Sequence, residues 1–321
     1  MSDERNLLRQ TVAALVDKHA SGEAVRAAME SPRGYDEQLW RLLCEQVGAA
    51  ALVVPEEFGG AGGELADAAV VLEELGKALV PTPLLGTILA ELALLAADSP
   101  DADALERLAA GEAVGTVALD PGYALNGDLV GPDDVVIGVD RDRLVRWETF
   151  ETTALATMDP TRRLGRITAG TTAPLAADPG IADYAALLLA AEQVGAAGRC
   201  LDLTVEYTKS RVQFGRPIGS FQALKHRMAD LYVAVQTARA VVTEAIADPS
   251  PTSAALARVN ASEAFNTVAA EAVQLHGGIA ITWESDIQLY FKRAHGSSHL
   301  LQSPADVLRG LQSEVLTQPV G

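Results

Sequence analysis

The sequence predicts a mainly α-helical protein in which a small β-rich segment separates two helical regions, and three observations carry that prediction. Hydrophobic residues make up 49% of the 321 residues while aromatics supply only 5%. A core assembled from run after run of Ala, Leu and Val favours packed helices over an all-β fold. Apolar positions recur three and four apart through the N-terminal third and again through the C-terminal 140 or so residues, the spacing of an amphipathic helix. Between these regions Gly, Asp and Pro become frequent and short alternating segments replace the helical period. The division that follows is residues 1–98, an N-terminal helical domain; residues 99–180, a small reduced β domain; and residues 181–321, a C-terminal four-helix bundle. A chain of this length can bury a large core and form a sizeable pocket.

In the first region Leu8, Val12, Leu15 and Val16, then Leu39, Leu42, Leu43 and Val47, fall at helical spacing on either side of the breaker Pro32-Arg33-Gly34. They predict two or three amphipathic helices. The glycine-rich stretch LVVPEEFGGAGG at 52–63 could pass for a phosphate cradle, but it lacks the Gly-Lys-Ser/Thr ending of a P-loop and is read as a connection between helices. Residues 65–79 then form a helix carrying Val70, Val71, Leu72 and Leu75; Gly76 weakens its end, and Pro81 and Pro83 stop it. A further apolar helix spans 84–97. In the middle segment, 114–119, 134–139, 143–147 and 164–169 are strand-sized, with turn pairs at Asn126-Gly127 and Pro132-Asp133, and Asp178-Pro179-Gly180 closes the segment. The bundle begins with a helix over 182–210. Its second helix starts at Ser220 as N-cap and carries a seam of Leu224, Met228, Leu231, Val235, Ala238 and Val242. The third covers 254–276 after the turn Asp248-Pro249-Ser250-Pro251, and the fourth 284–301.

Asp and Glu outnumber Lys and Arg by 43 to 25, so the summed field repels polyanions and argues against nucleic acid or an anionic membrane as partner. A phosphate-bearing ligand would need local arginines. The opening MSDERNLLRQ has no apolar signal core, and no unbroken apolar run reaches the roughly eighteen residues of a membrane span. Cys44 and Cys200 lie in helical patterns without metal-ligand spacing, which predicts buried structural thiols. The expectation is a soluble protein of the cytoplasm.

Two breaker-rich loops stand out. In YTKSRVQFGRPIGSFQ, at 207–222, Gly215, Pro217 and Gly219 interrupt the helical pattern, and Arg211 and Phe214 sit just ahead of them. A guanidinium there can meet a phosphate in bidentate fashion while the ring packs beneath it; equally, a basic residue near a helix end can be a solvated dipole partner. The second loop, QLHGGIAIT at 274–282, follows the third bundle helix. Gln274 could be a polar residue at a helix C-terminus, and Gly277-Gly278 a helix stop.

The order helical region, β region, bundle, together with YTKSRVQFGRPIGSFQALKHRMADL and QLHGGIAITWESDIQLYFKRA, resembles the acyl-CoA dehydrogenase family. The resemblance covers nearly the whole chain, and VPEEFGGAGG and VVLEELGKALVPTP agree with it. It implies an acyl-CoA dehydrogenase-like fold and an FAD cofactor, with Arg211 and Phe214 holding the pyrophosphate and adenosine end. Gln274, Gly277 and Gly278 would be the second contact, where glycines admit backbone close to the dinucleotide of a neighbouring subunit. It also implies an oligomer, an acyl-CoA substrate and electron-transferring flavoprotein as acceptor. In the family's reaction a carboxylate removes the proton α to the thioester carbonyl while a hydride leaves the β carbon.

The chain departs from the family pattern in two places. Many members carry the basic glutamate after the last bundle helix, in a stretch like Tyr-Glu-Gly-Thr; here KRAHGSSHLLQSPAD places an apolar residue near Leu301, and the next carboxylates, Asp306 and Glu314, lie beyond. Other members place it on the first bundle helix. There Glu192 is the acid in the apolar run LLLAAEQVG, about two turns past that alternate position, and such surroundings predict a raised pKa suited to a base. A lone helical Glu can equally make a polar contact with a partner helix. Glu284 and His295 are further candidates. The β segment lacks the family's flavin-ring motif, and Trp147 stands out of its context. A chain with nucleotide-end motifs but without an evident base resembles one half of the heteromers that some bacterial members form with a second, unlike dehydrogenase chain on bulky substrates such as sterol side chains. The remaining readings are a homo-oligomer, a non-catalytic scaffold subunit that completes a partner's FAD site, and a flavin enzyme of the same fold acting on carrier-bound acyl groups or as an oxidase.

Overall fold

The computed structural model describes residues 3–119, 123–301 and 303–317. Six helices open the chain: α1 (Asp3–His19), α2 (Gly22–Glu30), α3 (Glu37–Leu42), α4 (Leu65–Lys77), α5 (Leu84–Leu95) and α6 (Ala102–Ala109). Side-chain caps fix three of their starts. Ser21 accepts the Ala24 N–H at α2, Asp36 those of Gln38 and Leu39 at α3, and Asp101 that of Ala104 at α6. The last of these helices lies inside the segment expected to be β-rich. Asp101, part of the composition change there, is cap chemistry, and Leu105 and Leu108 bury into the N-terminal core.

The glycine-rich loop after α3 is a connection, as expected, and the physical reason is that its amides are already used. Gly60 donates to Pro55 O, Ala61 to Ala51 O, Gly62 to Val54 O and Gly63 to Leu52 O, at 2.7 to 3.1 Å. None of these groups is left to hold a phosphate.

Seven short strands follow: β1 (Gly115–Ala118), β2 (Ala124–Leu125), β3 (Val135–Asp140), β4 (Arg143–Trp147), β5 (Phe150–Leu155), β6 (Leu164–Ala169) and β7 (Thr172–Ala177). One sheet has the order β1-β3-β4-β7, with β1 parallel to β3 and the other pairs antiparallel; the second has the antiparallel order β2-β6-β5. The four predicted strands are present within a residue or so at each end. Three were not anticipated: β2 is two residues long, β5 is mostly solvent-facing, and β7 contains Pro174, tolerated because it is an edge strand. Trp147 lies across Gly138 of the neighbouring strand, where any Cβ would collide with its indole nitrogen at 2.1 Å. Its task is packing within the sheet.

The C-terminal region contains α7 (Ile181–Ser210), α8 (Gln222–Ala247), α9 (Pro251–His276), α10 (Ile287–His299) and α11 (Pro304–Thr317), the last beyond the four helices expected. Ser220 does not cap α8. It belongs to a short turn in which its hydroxyl donates to Pro217 O at 2.7 Å, and Phe221 occupies the cap position. The predicted seam of α8 holds from Leu231 onward: Leu231, Val235, Ala238 and Val242 are buried, while Leu224 and Met228 are half-buried. α9 starts earlier than its apolar pattern, at Pro251, because Ser250 and Ser253 form a reciprocal capping box.

α7 is the axis of the molecule, buried against α9 on one side and α4 on the other. Gly76 of α4 does not merely weaken a helix end: a Cβ there would lie 2.3 Å from the Glu192 carbonyl oxygen, and a Cβ on Gly195 of α7 would lie 2.0 Å from that of Glu73. The two helices therefore cross backbone to backbone. α7 and α9 run parallel, since Gln193 bonds Ser262 and Tyr207 bonds His276 at the same offset of 69 residues. Their C-termini meet at one end of the bundle.

Candidate cofactor and active site

Residues just past α7 form a tight hairpin. β8 (Val212–Gln213) pairs antiparallel with β9 (Arg216–Pro217), and the two residues between them, Phe214 at φ 51° and Gly215 at φ 76°, take the left-handed backbone that a type I′ turn requires. Glycine does so freely. For Phe214 it costs about 1–2 kcal/mol, and the ring is also 92% exposed. A bulky aromatic that is both strained and uncovered is a residue presented outward. Arg211 closes α7, its N–H donating to Tyr207 O at 2.9 Å, and its side chain is exposed. Behind the tip, the Arg216 guanidinium lies 4.0 Å over the Phe221 ring, which meets Phe214 edge to face at 6.2 Å.

The second loop begins where α9 ends. Gly277 has φ 65°, ψ −146°, a conformation essentially reserved for glycine, and its N–H caps the helix on Val273 O. A helix stop accounts for Gly277. It does not account for Gly278, which has neither a left-handed φ nor any atom within 4 Å of where its Cβ would be. Both glycines and Gln274 are exposed, leaving an open strip of backbone.

These loops are neighbours. Tyr207 and His276 stack with centroids 4.1 Å apart and planes inclined by 20°, and the tyrosine hydroxyl donates to His276 O at 3.3 Å. Burial holds the His276 pKa below its ordinary value, so the ring is neutral near pH 7, with Nδ1 2.8 Å from Ala272 O. Arg211, Phe214, Gln274, Gly277 and Gly278 thus share one end of the bundle. Exposed guanidinium, exposed ring and side-chain-free backbone fit the phosphates and base of a dinucleotide.

Glu192 is in a different setting from the one its sequence neighbours predict. Only 6% exposed, it accepts hydrogen bonds from Arg162 and, at 2.6 Å, from Arg293. Burial pushes its carboxyl up, but the attraction of the two guanidiniums and their hydrogen bonds outweighs burial, and the pKa is lowered, not raised. Arg293, 3% exposed, also lies 2.8 Å from Asp159 and donates to Thr161 O at 2.8 Å. Two arginines and two acids so plug the junction between the β region and the bundle. The cavity left there, bounded by Thr82, Leu85, Asn126, Arg162, Glu192 and Arg293 among others, measures about 20 Å³, whereas ligand pockets run to about 300–1,000 Å³.

The segment after α10, where the family's glutamate is expected, is pinned. Arg258, 1% exposed, donates to Ser297 O at 2.7 Å and Leu300 O at 2.9 Å, and is itself held by Gln193 at 3.1 Å and by Ser262. Leu301 has φ 67° and donates its N–H to the Tyr123 hydroxyl at 2.7 Å. Asp306 is exposed and bonded to Ser303 and Arg309; the Glu314 side chain lies outside the described residues. Glu284 and His295 are exposed as well. Arg162, Arg258 and Arg293 were not picked out from sequence, although Arg293 lies within the second quoted motif. Cys44 and Cys200 are buried free thiols, the former pushed up to about 12 by burial. No helix among the described residues is long and apolar enough to cross a membrane.

Three-part architecture and paired loops define the class, and the comparisons agree: the chain belongs to the acyl-CoA dehydrogenase family, oxidoreductases acting on CH–CH bonds. The family profile for the acyl-CoA dehydrogenase N-terminal domain matches residues 2–112 and that for the C-terminal domain residues 180–300. Within the family the chain is 68% identical over 317 residues to acyl-CoA dehydrogenase IpdE2 of Mycobacterium tuberculosis, covering 99% of both. Among solved structures it resembles a chain of the ChsE4-ChsE5 complex from Mycobacterium tuberculosis, with TM-score 0.90, 26% identity and coverage of 100% and 99%. It also resembles a chain of the Tcur3481-Tcur3483 steroid ACAD, with TM-score 0.89, 27% identity and 98% coverage of each.

Proposed function

We propose that this chain is one subunit of a heteromeric FAD-dependent acyl-CoA dehydrogenase that introduces an α,β double bond into a bulky, sterol-derived acyl-CoA thioester, in the cytoplasm. The observation that carries the proposal is a contrast within one chain. The nucleotide-end loops stand open to solvent, while the β-region junction is closed by Arg162, Glu192, Arg293 and Asp159. Arg211 would neutralise the diphosphate, Phe214 would cover the adenosine, and Gln274 with the Gly277-Gly278 backbone would bind from the other side. FAD, when bound, supplies hydride acceptance from the β carbon. Glu192, committed to two arginines, holds the junction and does not abstract the α proton; an unlike dehydrogenase chain supplies that carboxylate. The assemblies named for the two solved structures support a partner of this kind, and electron-transferring flavoprotein is the acceptor that the family implies.

The test is to purify the chain alone and with a second dehydrogenase-like chain. A colourless preparation that gains flavin absorbance and turns over acyl-CoA only with its partner is expected. A homo-oligomer that reduces an artificial acceptor with acyl-CoA would sink the heteromer. In the complex, Glu192→Gln should change kcat less than tenfold, against the roughly 10²–10⁴-fold loss of a removed general base.

A further inference from the structure

We infer that Tyr207 and His276 are a positioning pair that sets the spacing between the Arg211-Phe214 hairpin and the Gln274-Gly278 turn, so that a single dinucleotide end bridges both. The inference rests on the cofactor reading above and assigns these two residues a part in it.

Continuity of contact carries the argument. The short turn that follows the hairpin's returning strand, Ile218–Ser220, is seated on the last turn of α7, where a Cβ on Gly219 would lie 3.0 Å from the Thr208 carbonyl oxygen and hydroxyl. Tyr207 is the next residue inward, and Arg211 follows it by one helical turn. Across the gap, the His276 carbonyl belongs to the same peptide unit as the Gly277 N–H, so its orientation sets the unusual backbone of the glycine turn. The carbonyls of a helix's last turn lack intrahelical donors. At His276, whose carbonyl opens the short 3₁₀ turn Gly277–Ile281, the Tyr207 hydroxyl is a further donor, from another helix. The stacked rings and this hydrogen bond therefore join hairpin, α7, α9 and glycine turn into one rigid strip.

The pair is not ordinary core. Both rings are half-buried, and Tyr207 packs against none of the three buried apolar clusters. The main bundle contacts of α7 and α9 lie farther in, at residues such as Ala196, Ala197, Cys200, Phe265, Val268 and Ala269. Removing one ring should loosen the register of the loops while leaving the fold intact.

The experiment uses the assembled complex stripped of flavin and titrated with FAD, followed by flavin fluorescence. Tyr207→Leu and His276→Asn should each raise the FAD Kd about tenfold, a loss of about 1.4 kcal/mol. Acyl-CoA KM at saturating FAD and the melting temperature of the flavin-free complex should stay unchanged. Tyr207→Phe keeps the stack and should remain within about threefold of the parent. Because the pair acts through the hairpin, Tyr207→Leu combined with Arg211→Ala should cost less than the sum of the single changes. An unchanged Kd in Tyr207→Leu, beside a raised one in Arg211→Ala, overturns the positioning role alone, as would full additivity. An unchanged Kd in Arg211→Ala overturns the cofactor reading itself and the inference with it.

Discussion

Glu91 sits in the apolar middle of α5, 0% exposed, with neither carboxylate oxygen hydrogen-bonded to any described residue. Burial alone raises its pKa well above the ordinary value. The sign of the consequence is fixed by linkage. The folded chain keeps this proton to higher pH than the unfolded chain does, so the associated stability is complete below the unfolded pKa of about 4.3. It is lost as pH rises toward the folded value. Replacing Glu91 by Leu removes the unsatisfied group and should stabilise the protein by about 1–3 kcal/mol at pH 8. At pH 4 the gain should be smaller. Urea midpoints at the two pH values check this, and a loss of stability at both would show that the carboxyl is satisfied in solution.

At the level of elements, the crossing of α4 and α7 depends on two glycines whose missing side chains let the backbones touch. In an unobstructed helix Gly→Ala gains about 1 kcal/mol. At Gly195, with a carbonyl oxygen 2.0 Å from the new Cβ, the same change should instead destabilise by about 1–3 kcal/mol, seen as a lower melting temperature. The sequence made the helices legible because their signals are local: the 3.6-residue period, Pro81 and Pro83 after α4, and the seam of α8. It misread Gly76 as a weak helix end because the partner that requires it, Glu192, lies more than a hundred residues away. β5 and β7 were missed for a related reason, since strands whose faces are largely wet carry little alternation. The same distinction divides the site. Arg211, Phe214, Gln274, Gly277 and Gly278 were legible as two short motifs. The surroundings of Glu192 were not, because its arginines arrive from 30 and 101 residues away, and an apolar run of neighbours in sequence says nothing about them.

At the scale of the whole molecule, those arginines decide how the β region is joined to the bundle. Asp159, Thr161 and Arg162 come from the link between β5 and β6, Glu192 from α7 and Arg293 from α10, so one buried cluster ties three parts of the chain together. Its charges balance, two against two, which keeps so deep a network affordable in a chain of net charge −18. Removing one member leaves an uncompensated buried charge: Glu192→Ala should destabilise the fold by about 3–5 kcal/mol at pH 7. The pH dependence has the opposite sign to that of Glu91. The folded-state pKa of Glu192 is depressed, so its contribution is present above the unfolded carboxyl value and disappears as pH falls through the folded one. Denaturation of parent and variant should therefore converge on acidification, and a double replacement of Glu192 and Arg293 by Met should recover part of the loss seen with Glu192→Ala. A small, pH-independent cost for Glu192→Ala would mean that the Glu192 carboxylate is solvated in solution and does not depend on its two arginines.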